Sequence, residues 1–330
     1  MFPSYVQTCL NTLRGAGFEA YPVGGCVRDT LLGRMPGDWD VTTSALPEET
    51  LALFEKAIPT GIQHGTITVV LEEKTIEVTT FRAEEGYADG RHPDKVRFGV
   101  GLEADLARRD FTVNAMAFGV NGEVIDPFGG QRDLRDGILR TVGEPERRFR
   151  EDALRILRAV RFSAQLNFVI DPQTGAAMEE QAHRLIHVSG ERIVTELEKT
   201  LLSAHPERVG EFFRLGAVER FGCRIRESDW SALKQTVSET GERWRKLCRL
   251  TGLDITALPV SRVIRRAVLK PNAGKEKLLA LSGGELAGLG LQGEEIGKVQ
   301  KFLVEWVLSH PEDNEPEKLL RLLRKNDMLR

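Results

Sequence analysis

The stretch Val23-Gly24-Gly25-Cys26-Val27-Arg28-Asp29, followed nine residues on by Asp38-Trp39-Asp40, decides how this chain is to be read. Glycines lack Cβ, so backbone N–H groups at such a pair can approach phosphate oxygens closely. The helix they open, over about Val27 to Leu32, brings its positive dipole end to the same place. Alternate residues of a strand share a face and lie about 7 Å apart. A strand over Asp38–Thr43 therefore aims Asp38 and Asp40 at one site and Trp39 away from it. Two such carboxylates suit two cations about 4 Å apart. Taken singly, Gly-Gly is a tight turn and Asp-x-Asp a solvated loop or helix cap. The order is what carries specificity: apolar strand, Gly-Gly, short helix with Arg28, loop Gly33 to Gly37, then the carboxylate strand. It points to nucleotidyl chemistry.

Further along, Thr66–Leu71 and Thr75–Phe81 are rich in β-branched residues and predict a hairpin turning over Glu72 to Lys74. Glu77 alternates there with Ile76 and Val78. It is either a solvent-facing edge residue or a third carboxylate beside the Asp-x-Asp strand. Arg108-Arg109-Asp110-Phe111-Thr112-Val113-Asn114-Ala115 gathers polar groups just before an apolar strand, Met116–Val120. An arginine there suits a triphosphate, because Arg–phosphate pairing is bidentate and charge-assisted. A helix cap by Asp110 is the plainer alternative.

The segment Glu151–Phe162 has helical periodicity. At 100° per residue Ala153, Ile156, Leu157, Val160 and Ala164 share one face, while Asp152, Arg155 and Arg158 take the other. Arg161 lies near the boundary, and Phe162 points with Arg155. An Asp152–Arg155 ion pair at i,i+3 would contribute only about 0.2–0.5 kcal/mol. The sharper reading is an acceptor and a donor presented together to a base edge. Cytosine and adenine each show an amino donor beside a ring acceptor; uracil and guanine show the reverse. Unpaired buried polar groups would then reject the wrong base strongly.

The chain has 330 residues, 41% apolar and 29% charged, which allows two to four compact units of globular type. No apolar run approaches the ~20 residues of a membrane span, and no signal-peptide pattern opens the chain. Cys9, Cys26, Cys223 and Cys248 lie far apart, which fits neither a zinc site nor a disulfide framework and predicts a reducing cytoplasm. The net charge is only −3, but residues 243–277 hold ten Lys/Arg against two acidic residues, and residues 140–161 seven against four. Such clusters suit a phosphate backbone, or a solvated helical face. The first 140 residues mix strands and helices: helices over Tyr5–Leu13 and from Pro47 to Lys56, and a strand over Glu19–Val23. Arg82–Lys95 is expected as a long mobile loop. Beyond Pro145 helical periodicity dominates. The clearest boundary falls near 140, with softer ones near 203 and at Pro271-Asn272-Ala273-Gly274.

Over Val23 to about Leu202 the chain resembles the bacterial class II tRNA nucleotidyltransferases, the CCA-adding enzymes, which share a family with bacterial poly(A) polymerases. The resemblance runs through the glycine and Asp-x-Asp stretches, Arg108–Ala115, Glu151-Asp152-x-x-Arg155 and Ser189-Gly190-Glu191-Arg192-Ile193. Gly61-Ile62-Gln63-His64-Gly65-Thr66 is similar to the tRNA enzymes rather than the polymerases. The resemblance implies an α+β chain: a polymerase β-like nucleotidyltransferase head (1–140) with a mixed sheet, then an all-α neck (141–203), body (204–270) and tail (271–330). It implies Mg²⁺ on Asp38 and Asp40, with Glu77 as third carboxylate, and triphosphate contacts from Gly24, Gly25, Arg28 and Arg109. Asp152 and Arg155 would template the base, with Arg158 and Arg161 nearby, while Glu191 and Arg192 shape the neck. The implied substrates are CTP, ATP and the tRNA 3′ end, gripped at acceptor stem and elbow, with neither a membrane nor an obligatory protein partner. The 82–95 segment favours full CCA synthesis. The rival readings are a CC- or A-adding enzyme, a poly(A) polymerase, and a catalytically silent RNA-binding protein.

Overall fold

The β-branched hairpin forms as its alternation predicts. In the computed structural model of the chain, which describes residues 2–87, 95–225, 227–236, 239–269 and 279–329, β4 (Thr66–Leu71) and β5 (Lys74–Thr80) pair antiparallel. Ile76 and Val78 are buried, while Glu77 between them is exposed. The hairpin sits inside a five-stranded sheet of order β1-β2-β5-β4-β3, with β1 Ala20–Pro22, β2 Asp40–Thr43 and β3 Ala57–Gly61. β1 runs antiparallel to β2, and β2 parallel to β5, setting Asp40 opposite Glu77 in register. Helix α1 (Ser4–Gly15) buries Val6, Cys9, Leu10 and Leu13. Helix α2 (Gly25–Leu31) follows β1, and α3 (Pro47–Leu53) follows β2.

Four expectations change here. β2 begins at Asp40 rather than Asp38, because Gly24 turns the neighbouring chain out of the sheet after Pro22, the partner of Val41. Asp38 therefore stands in an exposed bend, although Trp39 still faces inward, its ring edge-on to Phe2 at 5.6 Å. Helix α3 stops at Leu53, and Ala57–Gly61 makes an edge strand whose Pro59 and exposed pattern hid it from periodicity. The ends of the 82–95 segment are not loop: β6 (Arg82–Glu85) and β7 (Lys95–Phe98) pair antiparallel. Phe98 anchors β7 by packing on Gly65, where a Cβ would come within 2.6 Å of its ring. Residues 88–94, including Gly90 and Pro93, lie outside the described residues. Finally, the neck region is not wholly helical, since β11 (Val169–Ile170) pairs parallel with β10 (Ile138–Leu139).

Between these strands come α4 (Leu102–Ala107), the short β8–β9 pair (Ala117–Phe118, Val124–Ile125) and α5 (Gly130–Asp136). Then follow α6 (Pro145–Glu151), α7 (Leu154–Leu166), α8 (Pro172–Gln181), α9 (Gly190–Leu201) and α10 (Gly210–Arg214). On α7 the predicted apolar face is buried: Ile156, Leu157, Val160 and Ala164 are each 0% exposed.

The chain divides into two compact units, Met1–Gln235 with Leu250–Leu253, and Thr236–Arg249 with Asp254–Arg330. The second has its own core, in which Leu286 of α13 (Gly283–Gly288), Val299 and Leu303 of α14 (Glu294–Ser309) and Leu319 and Leu323 of α15 (Pro316–Lys325) join Leu279 ahead of them. The Pro271–Gly274 boundary lies outside the described residues. So do three members of the basic 243–277 cluster, Lys270, Lys275 and Lys277. Of the rest, Arg243 and Arg245 are buried, whereas Arg249 on α11 (Thr240–Thr251) and Arg262 and Arg266 on α12 (Arg262–Leu269) are exposed. All four cysteines are free thiols, and among the described residues no helix is long and apolar enough to cross a membrane.

Candidate active site

The glycine turn works by steric exclusion. Gly24 has φ +81° and ψ −129°, a conformation closed to residues with a Cβ. Its N–H donates to Met116 O, and a Cβ would lie 2.8 Å from Arg109 Nη1. Gly25 then starts α2. Arg28 on that helix is buried, donates to Asn114 Oδ1 at 2.6 Å, pairs with Asp29 and lies over the Phe162 ring at 5.3 Å. The glycine turn, α2 and the 108–115 loop thus form one packed piece.

A cavity of about 540 Å³ opens beside the sheet. Its floor is the sheet face bearing Asp40, Glu77, Thr66 and Thr79; Arg108, Arg109 and Asp110 line one wall, and Asp152, Arg155 and Arg158 another. Residues from four separated stretches therefore meet, as the resemblance implies. Asp38, Gly24, Gly25, Arg28 and Arg161 are not among the lining residues. Arg161 is buried away from the cavity, paired with Glu196 at 2.5 Å and stacked on Phe162, so geometry does not bring it to the site. Phe162, expected to point with Arg155, is buried beneath Arg28, Arg158 and Arg161.

The carboxylates repel one another. Burial, together with the charges of Glu77 and Asp38, raises the pKa of Asp40 to about 6, against the opposing pull of Arg109. These are hard oxygen donors with an excess of negative charge, the set that suits Mg²⁺. Among the described residues no three acidic, His or Cys side chains already converge as a cation cage. Arg109 Nε and Arg82 Nη1 are buried without a hydrogen-bond partner. Such donors cost about 1–3 kcal/mol each when unsatisfied. Both belong to lining residues, and an anionic ligand would satisfy them.

The predicted continuous helix breaks at Asp152, where φ −149° and ψ 106° separate α6 from α7. The break turns the Asp152 carboxylate to cap Leu154 N–H at 3.0 Å. Asp152 and Arg155 do not pair with each other. Arg192 grips Asp152 at 2.7 and 3.3 Å, while Arg155 pairs with Glu151 at 2.7 Å and donates to Arg108 O at 3.2 Å. Each half of the expected base reader is thus held by its own partner, both facing one cavity. Arg158 pairs with Asp110 at 2.6 Å. Burial opposes ionisation of Asp110, yet Arg158 and Asn114 bring its pKa down to about 2.

Several lining residues escaped the sequence reading. Arg192, which the Ser189–Ile193 stretch assigned only to shaping the neck, reaches the cavity by gripping Asp152 from 40 positions away. Arg82 and Glu84 on β6 and Tyr87 just beyond its end also line the cavity, where Glu84 accepts from Tyr87 and Arg82 and pairs with Arg108. Their composition reads as a polar loop. His64 also lines the cavity.

Comparison with known proteins gives a consistent result. Residues 20–140 match the model of the poly A polymerase head domain, and residues 167–219 that of the probable RNA and SrmB-binding site of polymerase A. A CCA-adding enzyme of Lactiplantibacillus plantarum is 51% identical over 197 residues, covering 60% of this chain and 48% of that protein. One from Geobacillus thermodenitrificans is 42% identical over 310 residues, covering 88% of this chain and 71% of that one. The chain spans about half the length of several of the curated relatives it matches. The crystal structure of the Bacillus stearothermophilus CCA-adding enzyme in complex with CTP aligns over 99% of both chains, with a TM-score of 0.68 and 30% identity. The shared fold has a polymerase β-like head followed by mostly helical regions.

Proposed function

The chain belongs to the CCA-adding enzyme family, and from that premise we propose that it adds CCA to tRNA 3′ ends, using CTP and ATP and releasing pyrophosphate. One observation carries this reading: a single cavity joins the Asp40–Glu77 carboxylates, Arg109 and the Asp152/Arg155 edge. The tRNA 3′-hydroxyl attacks the α-phosphorus. A bond forms from that oxygen to phosphorus, and the bond to the β-phosphate bridging oxygen breaks. Asp38 and Asp40, with Glu77 beside them, would hold Mg²⁺, which when bound supplies charge neutralisation and a more acidic hydroxyl. Arg109 offers its unpartnered Nε to the triphosphate beside the Gly24–Gly25 turn. Arg28 acts one layer back, bracing Asn114.

The Asp152 carboxylate accepts a hydrogen bond from the amino group of cytosine or adenine, and Arg155 donates to the adjacent ring nitrogen. Arg192 and Glu151 hold the two in place, and Arg158 orders the wall through Asp110. On this reading residues 1–140 form the catalytic head and 141–203 the base-reading neck. Residues 204–270 and 271–330 are body and tail and hold tRNA. A cytoplasmic location follows from that substrate. Incubation with tRNA ending at its discriminator base and labelled CTP and ATP should give a product three nucleotides longer. Asp40→Ala should abolish extension while tRNA binding survives. No labelled tRNA with either nucleotide would reject the proposal.

A further inference from the structure

Asp105 has no role in the reading above, yet its carboxylate joins the elements that carry it. The residue is 0% exposed. Its Oδ1 accepts from Arg108 Nε at 2.9 Å and from the Arg82 backbone N–H at 3.4 Å. Its Oδ2 accepts at 3.1 Å from Thr42 Oγ1, two residues beyond Asp40 on β2, and pairs with Arg109 Nη2 at 3.5 Å. Burial alone would neutralise such a carboxyl. The guanidinium groups of Arg108 and Arg109 instead hold its pKa below the usual carboxylate range, so it is an anion in the folded protein.

Arg109 therefore interacts with two carboxylates. It pairs with Asp105 at 3.5 Å, and its charge also favours ionisation of Asp40. Arg109 Nη1 rests against the Gly24 turn, and Nε has no partner. We propose that Asp105 is a positioning residue that holds the Arg109 guanidinium on the glycine-turn side of the cavity. It thereby keeps Arg109 off the Asp40 carboxylate, leaving Asp40 open to a divalent cation and Arg109 open to phosphate. The proposal rests on the reading of Asp40 as a cation ligand. A guanidinium this enclosed does not stay unpaired. Without the Asp105 charge, Asp40, whose ionisation Arg109 already favours, is a lining carboxylate left to draw the guanidinium, and closure onto it would cover the cation position.

Mn²⁺ binding to the whole protein, followed by the electron paramagnetic resonance of free Mn²⁺ without nucleotide or tRNA, tests this. Asp105→Asn should weaken Mn²⁺ binding about tenfold, and Arg109→Ala added to it should restore affinity to within about threefold of wild type. A general structural loss would not be reversed by deleting a second charged side chain. Unchanged affinity in Asp105→Asn, or no recovery in the double variant, overturns the proposal. If thermal melts show that Asp105→Asn does not fold, Arg109→Ala alone decides. A change under about threefold fits an arginine already held away from Asp40, whereas a gain of about tenfold means it was covering Asp40 and overturns the proposal. Absence of Mn²⁺ binding by the wild type overturns it as well. Because no turnover is involved, tRNA extension reports separately on the transfer reading.

Discussion

At Gly24 one hydrogen on Cα stands where any other residue would place a Cβ against Arg109. Gly24→Ala meets both that clash and the φ of +81°, a backbone strain of roughly 1–3 kcal/mol. The variant should raise the KM for CTP at least about tenfold through a displaced Arg109, a ratio of the size one lost charge-assisted contact produces. Steady-state kinetics against tRNA lacking CCA measures it. Asp40 makes a second prediction. Its folded pKa of about 6 lies above the ordinary 3.8, so its contribution to stability is present below the unfolded value and lost as pH rises through 6. Cation binding at the proposed Asp40 site would follow the opposite course, since a ligand carboxylate must be ionised. Mn²⁺ affinity should therefore fall as pH drops through about 6, and Asp40→Asn should remove that dependence. The same variant should be more stable at pH 7.5, by roughly 1 kcal/mol after allowance for screening, while losing extension activity. A melting temperature at or below wild type would contradict the cost of ionising Asp40 beside Glu77 and Asp38.

At the scale of elements, the α6–α7 break and the Arg158–Asp110 bridge hold the Asp152/Arg155 wall of the cavity against the 108–115 loop. Asp110 has its pKa lowered to about 2, so its stabilisation is fully present above about 4 and lost as pH falls toward 2. The shift corresponds to about 2 kcal/mol, and Asp110→Asn should flatten the acid side of the stability curve in urea melts over that window. An unaltered acid limb would show that the bridge does not couple to folding. These elements were unequally legible. The β4–β5 hairpin and the apolar face of α7 announce themselves because burial on one side imposes period 2 or 3.6. The break at Asp152 does not, since a carboxylate that caps Leu154 leaves the apolar spacing intact on both sides. β3 carries Pro59 and little burial, and β6–β7 is polar with Phe98 as its anchor, so neither has a period to read. The site was legible where glycine, carboxylate and arginine cluster locally. Arg192, Arg82 and Tyr87 arrive only through tertiary packing.

Over the whole molecule, charge predicts less than it promises. Of the basic cluster near the start of the second unit, Arg243 and Arg245 are buried, and Arg245 is engaged with Glu242 and Ala267 O, so neither is free for phosphate. The exposed Arg249, Arg262 and Arg266 are the better candidates for tRNA phosphates. Arg262→Ala combined with Arg266→Ala should raise the KM for tRNA with kcat nearly unchanged and lower the slope of log K against log salt by roughly two. An unchanged slope would place the backbone contacts elsewhere. On the proposed function, nucleotide choice rests on side chains reading a base edge beside the carboxylates, without a template strand. The most direct test is nucleotide choice by Asp152→Ala and Arg155→Ala on tRNA lacking CCA, with all four triphosphates supplied singly. The wild type should incorporate CTP and ATP and reject UTP and GTP, while both variants should bring CTP:UTP discrimination down to about tenfold or less as buried polar groups cease to penalise the wrong base. UTP rejection that survives intact in both variants would contradict the central claim.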